Sequence, residues 1–215
     1  MKLKLVTCII LTLAASPLLG QNIKKCDGSV LLVTRGEDLQ DIHSVALDTS
    51  SRTSVVLTKL IFREFLGFEP EWRDAEPDVG TMLETADCAL IIGDPALVLS
   101  EPSAAARGSE IRIFDLATIW HEFTGLGFVF AMWMTRNDRS NIDFAAARDE
   151  GLQNLEAIAS NFAPQLGLTK QEMLTYLSEH VRYTVDARML AGMELFFELA
   201  QKHGLLPKRD LIFTE

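Results

Sequence analysis

The residues best suited to binding a ligand follow the apolar segment at 45–47. They are Ser50, Ser51, Arg52, Thr53 and Ser54. A segment with helical spacing begins among them, so their hydroxyl and guanidinium groups lie at a predicted helix N-terminus. Such a terminus favours anions because its first backbone N–H groups lack intrahelical partners and the helix dipole adds partial positive charge. Capping requires one hydroxyl, so the others predict a binding site for an anion such as a carboxylate.

Two more residues are candidates for substrate binding. Asp94 precedes Pro95 at the start of a short predicted helix, where capping explains it and ligand binding is the alternative interpretation. Trp133 ends the apolar segment at 128–133, which is predicted to be a core strand. Its indole ring could pack on a planar ligand.

The composition excludes several classes of function. The chain has 215 residues and a net charge of -10, and it lacks the clustered basic residues that nucleic acid requires. The segment at 120–125 is not a zinc-protease motif, because Gly125 stands where a second histidine is required. Phosphate-loop and dinucleotide motifs are missing from the sequence. We therefore expect no nucleic acid partner and no metal site, and the oligomeric state is left open.

The first 20 residues resemble a secretory signal, with a basic start, an apolar stretch and small residues near Gly20. The stretch is too short for a stable membrane span. The alternative is a buried first strand and helix of a cytosolic domain. Export would permit a disulfide between Cys26 and Cys88, whereas the apolar neighbours of Cys88 favour a buried thiol.

Predicted strands and helices alternate between residues 29 and 134, and three helices complete the chain. The strands are predicted at 29–34, 43–47, 68–72, 89–92, 111–114 and 128–134, and the helices at 54–66, 78–86, 93–97, 115–123, 142–162, 169–180 and 186–203. This order is typical of an α/β fold with a mostly parallel sheet. Ligands bind at the carboxyl ends of such strands. The turns at 50–54 and 93–95 are therefore expected to face one pocket.

Several segments together resemble the chorismate dehydratase family of menaquinone biosynthesis by the futalosine route. They are Ser29–Thr34, Val45–Ser54, Ile91–Leu97, Asp115–Trp120, Thr124–Leu126, Phe128–Trp133 and Val181–Tyr183. Their order and spacing fit the family across about residues 29 to 207. The segments Ser50-Ser-Arg-Thr-Ser54 and Ile92-Gly-Asp-Pro-Ala-Leu97 together make a specific signal.

The resemblance implies a type II periplasmic-binding-protein-like fold with a cleft between two lobes. It also implies a cytoplasmic, cofactor-independent lyase that removes water from chorismate to give 3-[(1-carboxyvinyl)oxy]benzoate. Ser29 matches a family serine implicated in catalysis. Residues 50–54, Asp94 and Trp133 would bind the substrate. Residues 38–132 would form the second lobe, and 21–37 with 133–215 the first lobe and the C-terminal helices.

Only 28 residues precede Ser29, so the resemblance also predicts a shortened or rearranged first lobe and impaired turnover. Two alternatives stay open. One is an exported, non-catalytic solute-binding protein for an organic carboxylate, which the leader-like residues 1–20 favour. The other is the related enzyme that makes dihydroxynaphthoate from a cyclic futalosine derivative, which shares the fold.

Overall fold

The computed structural model describes residues 3–5, 28–99, 111–135, 143–207 and 213–214. Its strands are β1 (Leu3–Leu5), β2 (Val30–Thr34), β3 (Ser44–Asp48), β4 (Glu71–Ala75), β5 (Cys88–Ile92), β6 (Arg112–Asp115), β7 (Met134–Thr135) and β8 (Phe213–Thr214). Five of these form the main sheet, in the order β4-β3-β5-β2-β6, and the other three form a small sheet in the order β7-β1-β8.

Strand β2 runs against its neighbours in the main sheet. Strand β3 is parallel to β4 and β5, whereas β2 is antiparallel to β5 and β6. Four of the five strands therefore point one way, as the mostly parallel prediction requires, and β2 is reversed. This reversal places the first residues of β2 beside the carboxyl ends of β5 and β6. β2 lies in one sheet with strands from 38–132, and the division into lobes stays a prediction.

Six of the eight α-helices that the structure describes begin after a residue whose side chain caps the helix start. The eight helices are α1 (Arg52–Leu60), α2 (Val79–Thr85), α3 (Asp94–Leu99), α4 (Leu116–Thr124), α5 (Phe144–Gln153), α6 (Leu155–Phe162), α7 (Lys170–Thr175) and α8 (Ala187–Lys202). The predicted helix 142–162 is thus two helices, divided at Asn154. Short 3₁₀ turns cover Leu39–Asp41 and Ala163–Leu166, and π-helical turns cover Ile61–Leu66 and Tyr176–His180.

The main sheet is covered by helices on both faces. Alternate strand residues such as Leu32 and Leu47 pack with α1, α4 and α8 on one face. The intervening residues, such as Leu31 and Ile91, pack with α2 and α3 on the other. This double burial explains why β2, β3 and β5 read as continuous apolar segments instead of alternating ones. Helices α6 and α7 pack against each other around Ala159 and Met173 in a separate cluster.

The prediction of a strand at 128–134 is wrong for residues 128–133, which belong to no strand. Only Met134–Thr135 pairs, with β1 in the small sheet. Phe128 is instead held by ring contacts with Trp120 and Phe196, at centroid distances of 5.3 and 5.2 Å. The apolar pattern reflects burial between α4 and α8 and not a place in a sheet.

Several expectations concern the N-terminal residues and the cysteines. Residues 3–5 form strand β1, while residues 6–27 and 101–108 lie outside the described residues, so the nature of the first 20 residues stays a prediction. Cys88 is a buried free thiol. None of the helices that the structure describes is long and apolar enough to cross a membrane.

Candidate active site

Three chain segments meet at the end of the main sheet that holds the carboxyl ends of β3 and β5, which we call the sheet edge. The start of β2 brings Ser29 beside the end of β5, and the Ser29 carbonyl accepts the Gly93 N–H at 2.8 Å. Gly93 has a φ of 68°, the left-handed conformation that glycine adopts without strain, and it turns the chain from β5 into α3. The end of β3 leads into α1 at the same edge. The turns at 50–54 and 93–95 are therefore neighbours.

The start of α1 is held by its own hydroxyl groups. Ser51 is the N-cap, and its Oγ accepts the Ser54 N–H at 3.3 Å and lies 2.9 Å from Ser54 Oγ. The Asp48 carboxylate accepts the Ser50 N–H at 2.9 Å and fixes the preceding turn. A helix leaves its first N–H groups without intrahelical acceptors, and the capping bond satisfies that of Ser54. The N–H groups of Arg52 and Thr53 are thus available to a ligand.

A cavity of about 530 Å³ lies over this edge of the sheet. One wall comes from the sheet edge, with Ser29, Ser51, Ser54, Gly93 and Asp94. The facing wall comes from the C-terminal helices and the 3₁₀ turn between them, with Ile158, Phe162, Gln165, Leu166, Met173 and Tyr176. Phe130 and Ala131 close one side. Hydroxyl groups on one wall thus face a mainly apolar surface on the other, which suits a planar ligand with a polar edge.

The charge of the cavity is low. The described lining residues include no lysine, arginine or histidine, and Asp94 is their one acidic residue. Burial raises the pKa of the Tyr176 phenol, the neighbouring Ser29 hydroxyl lowers it and the Asp94 carboxylate raises it, with a net upward shift. Tyr176 is therefore a neutral donor at neutral pH. An anionic ligand would be held by neutral hydroxyl and N–H donors.

Ser29 has an unusual environment for a serine. Only 2% of it is exposed, and no hydrogen bond to its Oγ is found among the residues that the structure describes. Buried hydroxyls are nearly always paired. An Oγ on a cavity wall that makes no hydrogen bond of ordinary geometry to a described residue can face a ligand, and the catalytic role that the resemblance implies for Ser29 stays a prediction.

The structure brings four of the predicted site residues together. Ser29, Ser51, Ser54 and Asp94 line the cavity, and the others do not. The side chains of Ser50 and Arg52 are exposed, and that of Thr53 is half-buried.

Trp133 is also outside the cavity. It is 42% exposed and packs edge-to-face on Phe144, with 5.0 Å between the ring centroids. Phe130, three residues earlier, supplies the aromatic ring that lines the cavity.

Sequence reasoning missed Tyr176 and Gln165, which line the facing wall. The only sequence signal for Tyr176 is a position among apolar residues of a helical segment, which is equally typical of core packing. Gln165 lies in the turn between two predicted helices and carries no signal of its own. Among the described residues, no group of three histidine, cysteine, aspartate or glutamate side chains could hold a metal ion. His121 lies away from the cavity, with Nδ1 3.2 Å from the Leu126 carbonyl oxygen.

Comparisons with known proteins agree with this architecture. A family model described as menaquinone biosynthesis matches residues 26–202. The chorismate dehydratase of Thermus thermophilus is 33% identical over 185 residues, which cover 79% of this chain and 67% of that protein.

Among solved structures, the periplasmic aliphatic sulphonate binding protein SsuA from Escherichia coli matches with a TM-score of 0.56 and 16% identity. This match covers 94% of this chain and 66% of that one, and it shows a periplasmic-binding-protein-like fold. The chain spans about two thirds of the length of both proteins.

Proposed function

The chain belongs to the menaquinone-biosynthesis family, and we propose that it acts as a chorismate dehydratase. The reaction converts chorismate into 3-[(1-carboxyvinyl)oxy]benzoate and water. A ring C–H bond and the C–O bond of the neighbouring hydroxyl break, and the proton and hydroxyl leave as water. Because the ring becomes aromatic, the driving force lies in the substrate, and no redox partner or cofactor is required. The protein has to bind the substrate, orient its ring and assist proton transfer.

One observation carries this proposal: Ser29, which matches a serine implicated in catalysis in the family, and the capped start of α1 line the same cavity. We assign one substrate carboxylate to the α1 start, where Ser51 and Ser54 present hydroxyls and Arg52 and Thr53 present backbone N–H groups. For Ser50 and Trp133 a binding role stays a prediction. The apolar helical wall would cover the flat ring and exclude water.

Ser29 is the residue that we assign to the chemistry. Its buried hydroxyl makes no hydrogen bond of ordinary geometry to a described residue, so it can hydrogen-bond the departing hydroxyl group of the substrate. Asp94 lies on the same wall and is the one acidic residue among the described residues of the cavity lining. Its carboxylate could accept a hydrogen bond from a ring substituent but would repel a substrate carboxylate placed beside it. We therefore place the substrate carboxylate at the start of α1 and not at the start of α3.

The proposal is tested by incubating the purified chain with chorismate and following the loss of its absorbance, with the product identified by mass. We expect consumption, and a fall in kcat of at least about 100-fold for Ser29→Ala. The matched control is Ser160→Ala, because Ser160 is exposed on α6 and donates to the Glu156 carbonyl. No consumption by the wild-type chain would refute the proposal. The size of kcat would also decide whether turnover is impaired.

A non-catalytic binding protein for an organic carboxylate is the second candidate. The observation that favours it is the scarcity of ionisable groups, since Asp94 and Tyr176 are the titratable side chains on the described cavity wall. A strong general base is thus missing from that wall. Calorimetry that shows chorismate binding without consumption would favour this candidate. Cytoplasmic location, with export as the alternative, stays a prediction for both.

A further inference from the structure

Tyr176 lies on the helical wall of the cavity, facing the sheet edge. It begins the π-helical turn Tyr176–His180, which follows α7 directly. A π turn widens the helix and re-aims its side chains, and such turns occur frequently at functional sites. Tyr176 is half-buried and lines the cavity together with Ser29 and Asp94. The phenol therefore reaches the sheet edge from the opposite side.

The Tyr176 and Ser29 hydroxyls are neighbours. The Ser29 hydroxyl lowers the pKa of Tyr176 through a hydrogen-bonding interaction, whereas Asp94 raises it through its charge alone. No hydrogen bond of ordinary geometry to Ser29 Oγ is found in the described part of the chain. Hydrogen bonds of active sites are frequently long or poorly aligned without substrate and tighten when it binds. Tyr176 is thus the residue in position to fix the Ser29 hydroxyl.

We propose that Tyr176 is a positioning residue, whose phenol hydroxyl holds the Ser29 hydroxyl in the orientation that meets the ligand. The inference rests on the proposed function of the same site. The phenol hydroxyl forms a hydrogen bond with Ser29 Oγ. This bond fixes the orientation of the serine hydroxyl, and so fixes the direction in which it can bond a ligand in the cavity. The ring contributes to the apolar wall at the same time.

A double-mutant cycle tests the link between the two residues. Tyr176→Phe keeps the ring and removes the hydroxyl, and we expect it to lower kcat roughly 10- to 30-fold, the effect of one lost hydrogen bond to a buried group. KM should change less than about 3-fold. In the Ser29→Ala background the same change should alter kcat less than about 2-fold, because residues that act as a unit are not additive. If the two substitutions lowered kcat by independent factors that multiply, or if Tyr176→Phe left kcat unchanged, the inference would be overturned.

Tyr183→Phe is the matched control for folding. The sequence has two tyrosines, and the Tyr183 hydroxyl donates to the Leu177 carbonyl at 2.9 Å. Its removal should leave kcat within about 2-fold while changing the melting temperature by a similar amount to Tyr176→Phe. A melting temperature much lower in Tyr176→Phe, with kcat reduced in proportion to unfolded protein, would assign Tyr176 a purely structural role.

A titration decides the inference without turnover. In Tyr183→Phe the one remaining tyrosine is Tyr176, and its phenolate is followed by ultraviolet absorbance over the pH range in which circular dichroism shows the fold intact. Adding Ser29→Ala should raise the apparent pKa of Tyr176, since the Ser29 hydroxyl lowers it. An unchanged pKa would overturn the inference. A wild-type chain that does not consume chorismate would refute the proposed function only, because the titration still reports on Tyr176 and Ser29.

Discussion

Gly192 lies within α8, where the backbone of Gly127 passes directly over it. A Cβ atom on residue 192 would lie 1.9 Å from the Gly127 carbonyl oxygen and 3.2 Å from its carbonyl carbon. Both obstructing atoms belong to the backbone, so no side-chain rotation relieves the contact. To reach an acceptable separation, α8 and the segment at 125–128 must move apart by about 1 Å. The substitution Gly192→Ala therefore disturbs the packing of α8.

Two opposing terms set the size of the effect. Overpacking costs about 1–3 kcal/mol, and we take about 3 because both backbones are already packed. Alanine in a helix interior gains about 1 kcal/mol over glycine. The free energy of unfolding should fall by about 2 kcal/mol, which lowers the melting temperature of a chain of this length by about 4–8 °C. Thermal and urea unfolding followed by circular dichroism would measure both quantities.

Gly151→Ala is the matched control. Gly151 lies in α5, and an added Cβ would meet no atom within 4 Å. The same substitution should here stabilise the chain by about 0.5–1 kcal/mol. Equal stability of Gly192→Ala and the wild-type chain would refute the reasoning. Phe130 and Ala131 line the cavity just after Gly127, so Gly192→Ala should also weaken ligand binding.

Three further predictions concern other parts of the fold. Thr169→Ala removes the capping box with Glu172 at the start of α7 and should cost about 1 kcal/mol, visible as a lower melting temperature; no change would show that the box is dispensable. Burial raises the pKa of Asp87, but hydrogen bonds from the start of β3 more than offset this and lower it. Its carboxylate thus stabilises the fold above its unfolded pKa of about 3.9 and loses this effect as the pH falls through the lower folded pKa. The melting temperature of Asp87→Asn should therefore vary less with pH than that of the wild-type chain between about pH 5 and 3. Equal pH dependence of the two chains would contradict this. Cys88 is fully buried with a raised pKa, so after replacement of the other two cysteines by serine the native chain should not react with a thiol reagent at neutral pH, and rapid labelling would show that β5 opens.

The meeting of two turns at one pocket could be predicted because it depends on sheet geometry alone. Segments that follow parallel strands leave the sheet at the same edge, which brings Ser51 and Ser54 near Asp94. Residues 51 and 54 are three apart and share one face of the helix start. Arg52 turns to another face, which accounts for its exposure. Sequence reasoning that ranks hydroxyl and guanidinium groups by type alone does not see this rotation.

Tyr176 could not be predicted as a site residue because its place depends on tertiary packing. It lies 147 residues after Ser29 in the chain, and only the docking of α6 and α7 over the sheet edge brings the two together. The strand predicted at 128–134 fails for a related reason. A short continuous apolar segment fits a buried strand and an extended segment between helices equally well, and only the partner surfaces distinguish them.

The described lining of the cavity has no basic side chain, which has a consequence for how an anion arrives. Hydroxyl and N–H donors act at short range and are hardly screened by salt, whereas the net charge of -10 acts over the whole surface and repels an incoming anion. Added salt screens that repulsion without weakening the donors. Association with an anionic substrate should therefore become faster as ionic strength rises, which is the reverse of the behaviour of enzymes that attract their substrates with basic patches.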